Sequence, residues 1–296
     1  MRGARTLLAA SKDRAKTRDQ TCSRAEGSGV PVNRWTWNTF ACFHIVSALL
    51  IASWIVPATR SLWDVLDLSV FRALNGLLAL GDGWLVFWAA ANHRAVDLIS
   101  GSLCAAVILW WVWGQPREIQ NRRAAALGAL TVPLLVIPFT THLLIRLVFK
   151  AQRHSPTLVV DDALLFSKLL PQFETKDISI YSFPGDHSFI LFSVTFFFWF
   201  YAPRKFFLAI LALAIIFSLP RLVGGAHWLT DDVIGGIAPA LLVIAWVCAT
   251  PFAYQMSRLF LPIINTIVGF IPERLWIPDY SATGMPDDSA RPSKRR

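Results

Sequence analysis

The sequence predicts an all-α, polytopic membrane protein, a six-transmembrane-helix bundle. Three observations carry this reading. Of 296 residues, 55% are hydrophobic and only 16% are charged, where a soluble domain carries about a quarter charged residues. The apolar residues are gathered into long runs rather than alternating with polar ones. Polar and ionisable residues then recur at the ends of those runs, where their cost demands a reason.

Six runs are taken as spans: Thr39–Val56, Ala95–Trp113, Ala124–Leu147, His187–Tyr201, Phe206–Leu219 and Val233–Ala249. The fourth and fifth are short for a bilayer that needs roughly 17–25 residues. They cross only if their ends extend toward Pro184 and Arg221. Between the first two spans, Leu62–Leu80 reads as an amphipathic interfacial helix. Gly81-Asp-Gly83 breaks it, and Trp84–Ala91 reads as a half-helix. The 13 tryptophans, several near span ends, fit interfacial belts.

Around this core, residues 1–37 read as a basic cytoplasmic tail, 38–250 as a six-span catalytic domain, and 251–296 as a cytoplasmic amphipathic segment ending in a disordered tail. The apolar part of the first ten residues is too short for a signal-peptide core. The net charge of +9 is read as cytoplasmic anchoring, and no nucleic-acid partner is expected. Four cysteines form neither a disulfide framework nor a Cys-x-x-Cys spacing. With the N-terminus inside, 19 of the 28 Lys and Arg fall on inner segments. Positive-inside bias therefore places both termini in the cytoplasm and puts three polar runs on one outer face.

The first of these runs is Pro220-Arg-Leu-Val-Gly-Gly-Ala-His-Trp-Leu-Thr-Asp231. His227 and Asp231 are four apart, one helical turn, so the carboxylate can fix the imidazole tautomer. Arg221 precedes Gly224-Gly225, which lets backbone approach a phosphate. The second is Pro184-Gly-Asp-His187. Gly185 and His187 would sit at a helix start, where free N–H groups attract an anion. His187 can protonate a leaving oxygen, and Asp186 is a natural helix cap. The third holds Arg146, Lys150 and Arg153, which share one helical face as phosphate-binding cations. Snorkelling at the membrane edge is the competing account of Lys150. Histidines, guanidiniums and a carboxylate together point to phosphoryl chemistry at a membrane surface. No cluster has zinc spacing, and neither a metal nor a cofactor is expected.

These runs resemble the motifs of the type 2 phosphatidic acid phosphatase (PAP2) superfamily. Arg221-x5-His227-x3-Asp231 matches the third motif, with Pro220 in place of Ser. Pro184 and His187 match the second, with Gly185 and Asp186 replacing Ser-Gly. Arg153 matches the first, with Arg146 where Lys is expected and Pro displaced to 156. The resemblance covers residues 38–250 and implies a PAP2-type bundle. Arg153-x-Ser-Pro-Thr-Leu158, Ser182-Phe-Pro-Gly-Asp-His187, Gly225-Ala-His-Trp-x-Thr-Asp231 and Asn92-His-Arg94 further resemble the lipid A 1-diphosphate synthase branch.

That resemblance implies a phosphotransferase of the bacterial inner membrane, working on the periplasmic face with undecaprenyl pyrophosphate and lipid A as partners. His227 would be the nucleophile, Asp231 its orienter and His187 the acid. Arg153 and Arg221 would hold phosphate oxygens, helped by Arg146 or Lys150. Arg94 and Asp186 are possible substrate contacts. Hydrolysis of undecaprenyl pyrophosphate or another lipid phosphate is the alternative. A lipid transporter or scaffold is the non-enzymatic reading, and a vanadate haloperoxidase ranks lowest because of the spans.

Overall fold

The computed structural model describes residues 30–114, 117–143 and 153–270. Most of the two tails, and with them Arg146 and Lys150, lie outside the described residues. The chain is all-α and multi-pass. Among the described residues five helices are long and apolar enough to cross a membrane: Trp37–Ile55, Arg94–Trp113, Ile119–Thr141, Arg204–Val223 and Leu229–Ala249.

The first, α1 (Trp37–Ile55), ends at Val56 and passes into α2 (Pro57–Asn75), with Pro57 at the first helical position, where its missing N–H costs nothing. A 3-10 turn (Gly76–Leu80) follows, and Gly81 breaks it. The half-helix α3 (Asp82–Ala91) then leads into α4 (Arg94–Trp113). The amphipathic stretch expected over Leu62–Leu80 is therefore α2 plus the 3-10 turn, and it starts five residues earlier. The next helix, α5 (Arg117–Leu143), contains Pro133 and Pro138. An outer loop carries two short turns, α6 (Pro156–Val159) and α7 (Phe166–Leu169). Among the described residues no strand forms, and the loop makes only isolated bridges, His93 with Thr175 and Arg153 with Tyr181.

The expected fourth span is α8 (Asp186–Tyr201), of 16 residues, about 24 Å long against a hydrocarbon core of about 30 Å. It starts after Pro184-Gly185, and Ala202 before Pro203 is extended at its end, the conformation a following proline favours. Its length does not reach that of the other five. By contrast α9 (Arg204–Val223) extends past Arg221, as its crossing requires. After it come α10 (Leu229–Asp232), a π-turn (Val233–Ile237), α11 (Ala238–Ala249) and α12 (Phe252–Gly269). The α12 helix lies along α5, where Asn121 Nδ2 donates to Asn265 Oδ1 at 2.7 Å.

The span Leu229–Ala249 is the most enclosed, with 67% of its window buried against 6% for Trp37–Ile55. The helix that carries Asp231 is thus the hub, and α1 is its lipid-facing edge. The core joins α4, α5, α8, α9 and α11 through Trp111, Phe197, Phe198, Ile210 and Ile244, with Ala126, Ala129 and Ala240 letting backbones close up. Ser47 Oγ donates to Ala238 O at 2.8 Å and ties α1 to the hub. At one edge Trp35 stacks on Trp37 and meets Trp246 edge-on, as interfacial aromatics do.

A second, smaller cluster sits beneath the outer loop: Leu78, Ala89, Phe166 and Val223. Asn75 pins it, donating to Leu164 O and Val223 O and accepting from Leu164 N. This cap packs onto the turn after α9. There Gly225 has φ +69°, and a Cβ would come within 2.7 Å of Phe71 and of Thr157. Gly225→Ala is expected to destabilise the protein by roughly 1–3 kcal/mol. Gly76→Ala, in right-handed backbone with open space around it, should hold or slightly raise the midpoint. Thermal unfolding of both variants in detergent measures the difference.

Candidate active site

The polar runs at residues 153, 184–187 and 221–231 meet on one end of the bundle. Asp231 lies in α10, fully buried, and its carboxylate is shared. One oxygen accepts from Arg153 Nη1 in a short ion pair. The other accepts from Trp228 N at 2.8 Å, closing the start of α10, and stands 3.6 Å from His227 Nδ1. His227 Nδ1 lies 2.7 Å from Ser182 O. A carbonyl only accepts, so the proton sits on Nδ1 and the Nε2 lone pair is left free. The tautomer expected from Asp231 is thus set first by a backbone carbonyl, with Asp231 as the charge behind it.

His227 is 8% exposed. Burial opposes its protonation. The Asp231 carboxylate beside Nδ1 and the charge of Asp232 more than offset this, and its pKa is raised above the ordinary histidine value.

Arg153 is held on every side. Nη2 donates to Asp67 Oδ2 at 2.8 Å, and its guanidinium lies 5.7 Å from the ring centres of both Trp54 and Trp228, within cation–π range. Asp67 of α2 is 2% exposed. It also accepts from Thr230 N at 2.9 Å and Thr230 Oγ1 at 2.6 Å. Arg153 O in turn accepts from Ser182 N and Ser182 Oγ. The residue that fixes the His227 tautomer is therefore tied to the arginine that pairs with Asp231.

On the opposite side, Arg221 near the end of α9 donates through Nη2 to both oxygens of Asp97, at 2.9 and 2.7 Å. Its Nη1 donates to Asn92 Oδ1 at 3.0 Å. Asn92 is fully buried and also donates to Pro220 O at 2.7 Å. His187, exposed in the first turn of α8, has Nε2 3.6 Å from Asp97 Oδ1. Its charged neighbours include Arg221, Lys176 and His227.

Two expected contributions take another form. Gly185 is the residue before α8, and its N–H donates to Asp231 O at 3.0 Å. Its visible role is close approach, since a Cβ would meet Asp232 Oδ1 at 2.6 Å and Asp231 O at 2.8 Å. Asp186 is the first helical residue of α8, and Gly185 holds the cap position expected for Asp186. Arg94 is at the rim, 74% exposed and 3.8 Å from Glu174. Lys176 sits among Arg221, Asp186, Asp97 and Arg94. Partial desolvation first, and then the Arg221 charge, lower its pKa although the residue is exposed. Among the described residues no group of three His, Cys, Asp or Glu is arranged to hold a metal.

Asp67, Asp97, Thr230 and Ser182 were not legible as site residues. Asp97 carried a usable signal, a lone carboxylate in the first turn of an apolar span. Asp67 did not, because an acid on an amphipathic helix reads as its wet face.

The PAP2 superfamily matches residues 129–256. The chain is also 30% identical to the lipid A 1-diphosphate synthase of Escherichia coli (strain K12) over 217 residues, 73% of this chain and 90% of that protein. No solved structure matches. Arg153, His187, Arg221, His227 and Asp231 lie inside the family match, whereas Asp67, Asn92 and Asp97 precede it.

Removing Asp67 takes one of the two carboxylates from Arg153 and leaves Thr230 N and Oγ1 without their acceptor, a loss of about 1–3 kcal/mol. The exposed Arg60–Asp64 pair at 2.9 Å is worth at most about 0.5 kcal/mol. Asp67→Ala should therefore lower the thermal midpoint far more than Asp64→Ala, with Asp67→Asn between them.

Proposed function

The chain belongs to the PAP2 superfamily, an enzyme family of phosphatases and phosphotransferases, and from that premise we propose that it moves a phosphate from undecaprenyl pyrophosphate to the 1-phosphate of lipid A. The observation that carries the reading is His227, with Nδ1 fixed on Ser182 O at 2.7 Å and Nε2 available. The name of the relative, lipid A 1-diphosphate synthase, supports the acceptor.

In the proposed reaction the His227 Nε2 lone pair attacks the terminal phosphorus. The bond from phosphorus to the bridging oxygen breaks, and His187 gives that oxygen a proton. Arg153 and Arg221 hold the phosphoryl oxygens as charge spreads over them. An oxygen of the acceptor phosphate then attacks the phosphohistidine and frees His227. Arg146 and Lys150 are proposed to add positive charge, and Arg94 to meet substrate at the rim. The proposed catalytic unit is residues 38–250, in the bacterial inner membrane, with the site on the periplasmic face and both termini in the cytoplasm. The count of Lys and Arg on inner segments supports that orientation. Asp97 and Asp186 beside the mouth disfavour a second anion, and they favour the alternative in which water takes the phosphate.

Purified full-length protein given undecaprenyl pyrophosphate and lipid A should form lipid A diphosphate. Release of free phosphate alone would leave the hydrolase reading. His227→Ala should lower turnover about a thousandfold or more; wild-type turnover would exclude the covalent path.

The raised pKa of His227 means that its proton leaves at higher pH than for an ordinary histidine, about 6.5. Only the neutral His227 ring attacks while His187 must still carry its proton, so kcat/KM should pass through a maximum with pH. With a substrate whose leaving group needs no proton, it should climb to a midpoint above that value. Asp231→Asn removes the stabilising charge and should shift the midpoint downward.

A further inference from the structure

The two arginines of the site have carboxylate partners of different kinds. Arg153 is paired with Asp67 and Asp231, whose side chains are 3% and 0% exposed. These are fixed parts of the interior. Arg221 is itself only 6% exposed, yet its partner Asp97 is 41% exposed. Asp97 offers both oxygens to Arg221 Nη2 at 2.9 and 2.7 Å, and one of them also lies 3.6 Å from His187 Nε2. Arg221 Nη1 is meanwhile held by Asn92 O and Oδ1. A solvent-facing anion thus sits between a buried guanidinium and the imidazole proposed as the acid. That is the place a phosphoryl oxygen must take if Arg221 and His187 act on it together.

We propose that Asp97 is an internal competitor for phosphate. It holds Arg221 in the empty site, yields the guanidinium when a phosphate enters, and reclaims it as the product anion leaves. The proposal rests on the reading of Arg221 as a phosphate ligand. Its physical basis is that the two oxygens of Asp97 take both Nη2 donors of Arg221, so a phosphate oxygen reaches them only by displacing the carboxylate, and that Asp97 is exposed enough to be rehydrated. Asn92 keeps Arg221 aimed while the exchange takes place. The exchange favours release of a product that would otherwise bind a cationic pocket tightly, and it selects for ligands with enough negative charge to displace a carboxylate.

The test is equilibrium binding of inorganic phosphate, and separately of vanadate, to the full-length protein in detergent by calorimetry. Asp97→Asn keeps the side-chain shape and an oxygen for Arg221 but removes the competing charge. Its Kd for phosphate should fall about fivefold, the worth of a solvent-exposed ion pair. Asp97→Ser, which also lacks the charge, should behave alike and covers the case in which the amide does not fold. Glu174→Gln removes a nearby exposed carboxylate paired with Arg94, and should change Kd less than twofold. Unchanged or weaker binding in both Asp97 variants overturns the proposal and makes Asp97 a support for Arg221. An equal gain in Glu174→Gln also overturns it, by reducing the effect to overall charge. If wild type binds neither anion, or Arg221→Ala binds as well as wild type, it is the reading of Arg221 as a phosphate ligand that fails.

Discussion

The shared guanidinium of Arg153 is the interaction on which the rest of the site depends. It joins Asp67 on α2 to Asp231 on α10, two buried carboxylates that would repel each other without it. At the low dielectric of a helix-bundle interior an unpaired carboxylate is among the costliest groups a chain can hold. The chain segments that supply these three residues are consequently held to one arrangement. Thr230 uses both its N–H and its hydroxyl on Asp67, which fixes the start of the hub helix against α2. His227, three residues earlier, inherits that position.

The His227 tautomer follows from the same network. Arg153 O holds both the N–H and the hydroxyl of Ser182, and Ser182 O accepts the hydrogen bond from His227 Nδ1. Backbone and side chain of one arginine therefore act on opposite sides of the imidazole: the guanidinium draws on Asp231, and the carbonyl places Ser182. The ring is oriented by contacts within the protein itself, and a nucleophile in the proposed reaction would be preorganised by them.

Arg221 is built on another plan. Asn92 fixes it from within, and a water-facing Asp97 balances it from outside. A bilayer-embedded cationic pocket with no internal counter-charge would carry a large desolvation cost when empty and a slow release when full. Asp97 offsets the first and relieves the second. Asp67, Asn92 and Asp97 all come from the part of the chain ahead of the family match at 129–256. The helices α2, α3 and the start of α4 therefore supply the partners of the proposed reactive residues, which come from the later part of the chain.

The sequence by itself determined the class of the fold and marked the residues of the proposed site. Long apolar runs with few charges have no stable form other than helices in a bilayer. A histidine, two arginines and a carboxylate at fixed spacings at span ends are costly enough to mark a site. It also located the amphipathic α2 and the break at Gly81, because hydropathy period and glycine are local signals. What it left open was every pairing between distant segments. Asp67 and Arg153 are 86 positions apart, and Arg221 and Asp97 are 124 apart. The sequence assigned the orientation of His227 to Asp231 because four residues make one turn, whereas the carbonyl of Ser182, which any residue at that position would carry, accepts the Nδ1 hydrogen bond. The start of α8 at Asp186 is likewise set where the turn at Pro184-Gly185 packs against Asp231 and Asp232, whereas its end before Pro203 is a local signal. Which carboxylate meets which arginine is decided by how the helices pack, and only the tertiary structure shows that Asp97 is exposed while Asp67 is buried.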